Sequence, residues 1–134
     1  MRIRITLDKA GLREDATRFA LPQVRRVTRR ILTRSAILCP VDTGRLRASG
    51  RMKLGVGARG PKGQVEYPVK YAAAVHDGAG PHVIRAKKKK ALAFEYQGRK
   101  VIVKSVRHPG NRGRPFLVNA AEEICAQEGL VFRR

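Results

Sequence analysis

A chain of 134 residues with 43% hydrophobic content suits one domain with a modest core and is too apolar for wholesale disorder. It carries 30 Lys and Arg against 10 Asp and Glu, a formal +20, so its surface repels copies of itself and attracts polyanions or acidic proteins. No run approaches the ~20 apolar residues of a membrane span. The N-terminal "MRIRITLDKAGL" lacks a secretory stretch, so the chain reads as soluble and intracellular while it is made.

In chain order, "RIRITL" alternates charge with Ile3 and Ile5 and predicts a short strand, which "DKAGLRED" breaks. Val24, Val27 and Ile31 then recur at helical spacing. A helix is expected from about Pro22, tolerated in a first turn, to Ile37, and Pro40 stops it. "RMKLGVGARG" sets Met52, Leu54 and Val56 on one face of a strand before a Gly-rich turn, and "QVEYPVKYAAAV" returns and passes into a helical turn. Residues 78–90, "GAGPHVIRAKKKK", read as an extended basic loop. "ALAFEY", "QGR" and "KVIVKSV" form the clearest signal, a β-hairpin with Leu92, Phe94 and Tyr96 on one face. "HPGNRGR" is a Pro/Gly connector, and Phe116, Leu117, Ala120, Ala121 and Ile124 predict a last helix, with Pro115 in its first turn and Gly129 beyond its end. The expected fold is one α+β domain over 1–134, a mostly antiparallel sheet packed against a long N-terminal and a C-terminal helix.

The tripeptide Asp42-Thr43-Gly44 is the signature of aspartic proteases, whose paired carboxylates share a proton. Here it comes after a basic helix and precedes "RLR", and guanidiniums at that density would hold a dyad ionised. The structural reading is preferred: Pro40 ends the helix, Asp42 or Thr43 caps a short helix "GRLRAS", Gly44 gives the turn and Leu46 anchors the new helix to the core. His76, His82 and His108 have no ligand spacing and read as loop histidines. "GVGARG" lacks the Lys-Ser/Thr ending of a phosphate loop. Cys39 and Cys125 are too few for a zinc framework. A disulfide between them stays open, with a reduced pair the simpler reading. The strongest electrostatic feature is Arg85 with Lys87, Lys88, Lys89 and Lys90, candidate contacts for phosphates or for an acidic neighbour. No enzyme chemistry, cofactor or metal is expected from these residues.

Four segments in order resemble one family, the tail-component or head–tail joining (tail completion) proteins of long-tailed bacteriophages. Cys39 to Ser49 matches its "P-V-D-T-G-x-L-R-x-S" element, and Tyr71-Ala72 through Gly78 is similar to its "Y-A-x-x-V-x-x-G" stretch. Lys87 to Phe94 matches its "K-A-L-x-F" lead. His108-Pro109-Gly110, Arg114-Pro115-Phe116-Leu117 and Ala120-Ala121 resemble its "H-P-G … P-F-L … A" ending. The resemblance covers residues 39 to 121. It implies a non-enzymatic virion subunit, made in the host bacterial cytoplasm, that forms a ring at the phage neck, a hexamer in many members. The ring would complete the tail or join it to the portal and connector. Its partners would be further copies, neighbouring neck, connector and tail-terminator or tail-tube proteins, and the DNA passing through the channel, with no membrane. A channel that lets DNA slide should not grip phosphates, so much of the +20 is expected to face acidic neighbours or to lie away from the lumen. The alternative is a basic nucleic-acid-binding protein that uses helix 22–37 and Lys87–Lys90 on phosphates without sequence specificity.

Overall fold

Buried side chains at Ala20, Val24, Val27, Thr28, Ile31 and Ser35 fall three and four residues apart, and they define the inner stripe of the longest element, α1 (Glu14–Leu38). The computed structural model describes residues 3–8, 14–58 and 60–133. The helix starts eight residues before the expected Pro22. Pro22, inside the helix, costs it one backbone hydrogen bond, having no N–H to give. The helix stops at Leu38, two residues before Pro40, as expected. The pattern break read at Asp8–Asp15 falls mostly outside the described residues.

A short helix, α2 (Arg45–Ala48), leads into the hairpin of β2 (Arg51–Gly57) and β3 (Gly60–Tyr67). With β1 (Ile3–Asp8) they make an antiparallel sheet in the order β1-β3-β2. The register pairs Ile5 and Met52 with Val65, and Leu7 and Leu54 with Gly63, and Met52, Leu54 and Val65 give β2 and β3 one apolar face. The opposite face carries Lys62, Gln64 and Glu66 flanked by Arg51 and Lys53. Helix α1 lies on the apolar face and comes so close at Gly63 that a Cβ there would sit 1.9 Å from Oγ1 of Thr28. That hydroxyl turns back on its own helix and donates to the Val24 carbonyl at 2.6 Å.

The last helix, α4 (Phe116–Gln127), lies along α1 and buries Phe116, Leu117, Ala120, Ala121, Ile124 and Cys125. Pro115 stands just before it as its cap residue. Gly129 ends it in the left-handed conformation (φ 67°), with Gly129 N–H donating to the Ala126 carbonyl and Leu130 N–H to that of Cys125. Glu128 sits at the negative end of α4, where a carboxylate is disfavoured. Arg30 and Arg26 of α1 bond it, and these hold its carboxyl below the ordinary range despite burial. Arg34 adds a bond to Glu123 at 2.8 Å. Cys39 and Cys125 are both free and buried, and burial pushes both thiols up. The fold is thus α+β with every strand pair antiparallel, as expected from sequence.

The capping roles assigned to Asp42 and Thr43 are not seen. The residue before α2 is Gly44 itself, at φ 79°, and no side chain caps the helix. Thr43 and Asp42 stand one and two residues upstream of the cap position, bond none of the first N–H groups, and are both exposed. Leu46 is buried in the core, as expected.

This packing has two measurable outcomes. Gly63→Ala drives a methyl into Thr28 and should lower unfolding stability by about 1–3 kcal/mol; an unchanged urea midpoint would refute the close approach. Glu66 is buried beneath the half-exposed side chains of Arg51 (2.7 Å) and Lys53 (2.9 Å), and its carboxyl is held below 4.5, first by the Lys53 hydrogen bond, against burial, and then by Arg51. A depressed carboxylate stabilises the fold above its unfolded pKa, and that contribution is lost as pH falls through the folded one. The stability gap between wild type and Glu66→Gln should therefore be widest near neutrality and close in acid below about pH 4. A gap independent of pH in denaturation curves would contradict the ion triad.

Candidate functional site

Between β3 and α4 the chain leaves the core and returns to it. Helix α3 (Ala72–Asp77) is succeeded by β4 (Gly78–Ala79), β5 (His82–Arg85), β6 (Leu92–Tyr96), β7 (Arg99–Val103), β8 (Ser105–His108) and β9 (Asn111–Arg112). These pair as nested antiparallel partners, β4 with β9, β5 with β8 and β6 with β7, in one two-stranded arm. The expected hairpin is its tip, closed by Gln97 (φ 50°) and Gly98 (φ 74°), the two positive-φ residues of a type I′ turn. The stretch 78–90 is therefore not one loop. Its first part is strand, paired with a sequence too distant for local reading to find.

The arm is held at its root, where backbone meets backbone. Cβ atoms added at Gly78, Gly110 or Gly113 would lie 2.7, 2.2 and 2.4 Å from main-chain atoms of Gly113, Ala79 and Asp77. Gly78 and Gly110 also have positive φ (89° and 86°). Arg114 N–H donates to the Val75 carbonyl, and Asn111 Nδ2 to that of Ala74. His76 is no loop histidine. It is buried in α3, where Nδ1–H donates to Asp77 at 2.6 Å and Nε2 accepts the Val118 N–H at the start of α4. Its ring also meets Phe116 edge-on. Pro40, Val75, Asn111, Arg112, Gly113 and Arg114 line a cleft of about 550 Å³ beside the root.

The shaft has no comparable packing. Residues 81–85 and 93–100 are exposed throughout, and so are the apolar side chains of Val83, Ile84, Tyr96 and Ile102. From 78 to 112 it carries ten Lys and Arg against one carboxylate, Glu95. Arg85 ends β5, and Lys87, Lys88, Lys89 and Lys90 lie in a bulge of six residues, 86–91, that faces the single residue Lys104. Sequence reasoning singled out these five and missed Arg99, Lys100, Lys104 and Arg107, which the pairing brings onto the same arm. The signal for them was the mixture of cations and apolar residues that follows Gln97-Gly98, from Arg99 to Arg107. His82 and His108 face each other across β5 and β8 with ring centroids 5.1 Å apart.

The other basic element, α1, is partly neutralised. Arg26, Arg30 and Arg34 are engaged by α4, while Arg25 and Arg29 are exposed with no ion-pair partner among the described residues. Asp42 stands exposed on its turn rather than in a buried carboxylate pocket. No described helix is long and apolar enough to cross a membrane. No protein-family model, curated protein or solved structure matches the chain.

Gly110→Ala, which sets a methyl against the Ala79 carbonyl at a positive φ, should loosen the root while sparing the core. Amide exchange across 82–108 is expected to accelerate by about tenfold or more with α1 and α4 unchanged. Uniform exchange rates in variant and wild type would contradict the root packing.

Proposed function

We propose that the protein is a structural subunit of the neck of a tailed phage, forming a ring that completes the tail or joins it to the portal and leaves a channel for DNA. The observation that carries this reading is where the family-like residues meet. Pro40 and the turn to Leu46, Tyr71–Gly78, His108–Gly110 and Arg114–Leu117 are far apart in sequence, yet they converge on the root of the arm and the adjoining core. Three of the four family-like segments thus meet in one mechanical unit, the mount that fixes a projecting ribbon to a small body, while the fourth, Lys87 to Phe94, lies out on the ribbon itself.

A bare two-stranded ribbon is marginal in water, and exposed aliphatic and aromatic side chains on it call for a protein surface to cover them. Ring subunits meet through unlike faces, which suits a body of one shape and an arm of another. The nucleic-acid reading loses part of its support on α1, where three arginines are already paired with carboxylates. Electron cryomicroscopy of virions carrying this chain should find it as a ring at the capsid–tail junction. Its absence from purified particles by mass spectrometry would defeat the proposal. Tight duplex DNA binding by the isolated protein, falling steeply with salt, would favour the nucleic-acid reading instead.

A further inference from the structure

We infer that the outer edge of β7 and β8 is a strand-addition site for an extended, carboxylate-rich segment of a different protein. This rests on the arm being a docking element, and it specifies how docking occurs and what is taken. In a hairpin with a two-residue turn the flanking pair, Tyr96 and Arg99, is hydrogen-bonded, and bonded pairs alternate from there. Phe94 with Val101 and Leu92 with Val103 therefore bond inward. Lys100 and Ile102 turn N–H and C=O outward, unpaired by the hairpin.

The two edges of the ribbon are not equivalent. The β5–β6 edge is cut by the six-residue bulge at 86–91, whereas its partner runs from Arg99 to His108 with only Lys104 between the two strands. At ~3.3 Å per residue this edge offers up to roughly 30 Å of nearly continuous strand. It also reads as a strand should, with Val101, Ile102, Val103 and Val106 set between cations.

Charge identifies the occupant. Arg99, Lys100, Lys104 and Arg107 stand along or beside the edge, and like charges placed directly opposite destabilise a pairing. A second copy of the same edge would set cation against cation, the device by which proteins keep free edges from pairing with themselves. The other edge of a second copy offers only Glu95. A nucleic acid would meet the cations but leave Ile102 and its apolar neighbours uncovered. A segment alternating Glu or Asp with Val or Ile satisfies the main-chain groups, the charges and the aliphatic surface together.

The probe is a synthetic peptide of alternating Glu and Val, titrated into the full chain, with an alternating Lys–Val peptide as control. Binding of the Glu peptide should slow amide exchange at Lys100 and Ile102 by about tenfold or more, and the Lys peptide should not bind. Ile102→Pro removes one outward N–H without touching a hairpin bond and should weaken the Glu peptide by about tenfold. Because that proline can disturb the ribbon, Lys100→Glu with Lys104→Glu serves as a second variant and should transfer preference to the Lys peptide. Peptide binding with no protection at Lys100 and Ile102 overturns the inference, as does tighter binding of a single-stranded oligothymidylate, or self-association through this edge seen by light scattering. None of these readouts depends on a ring or a virion, so their failure leaves the neck proposal to be judged separately.

Discussion

Tyr67 joins the layers of this protein. It ends β3 with its ring wholly buried, its hydroxyl 2.8 Å from Oγ of Ser35 on α1, and its ring edge-on to Phe116 of α4 at 5.0 Å. Gly50 leaves the space the ring fills, since a Cβ there would come within 2.8 Å of it. Burial pushes the phenol up, which keeps it neutral and able to share a proton with Ser35. From Phe116 the contacts run on to His76, and His76 precedes by two residues the glycine where the arm begins. Core and arm are therefore one connected packing problem.

Charge is divided along the same line. In the body, carboxylates are spent on nearby cations: Glu66 on Arg51 and Lys53, Glu128 on Arg26 and Arg30, Glu123 on Arg34. Exposed pairs such as Arg34–Glu123 contribute little one by one, but Glu66 at a buried sheet position and Glu128 at a helix end sit where a lone charge would be unfavourable. The arm has no such partners apart from Glu95. A net charge of +20 is tolerable in a small body because so much of the excess is carried away from it on a ribbon.

The sequence made the local elements legible because their signals are local. The hairpin at Leu92–Val103, the last helix with Gly129 beyond it, and the halt at Pro40 each depend on neighbours within a few residues. The true start of α1 is hidden because Pro22 has the look of a first-turn residue, yet a long helix packed on a sheet outweighs one missing hydrogen bond. The pairings of β4 with β9 and β5 with β8 span up to 34 residues between partners, and no periodicity announces them. His76 has the sequence surroundings of a loop residue because its burial comes from α4, forty residues later. The same distance hid the site. Lys87–Lys90 stand out as a run, but the row on β7 and β8 becomes a surface only when the arm is folded.

The glycine-to-glycine seating at the root has a consequence for how such a protein can change. The arm's aim is set at the root by main-chain atoms packed on main-chain atoms, with the rings of His82 and His108 bonding the backbone of Gly80 and Gly110 just beyond it. Substitutions among the exposed residues 83–85 and 93–100 leave that seating untouched, so they can alter what the ribbon recognises without moving the root. Orientation and recognition are inherited separately, and a new partner can be met by rewriting the shaft alone.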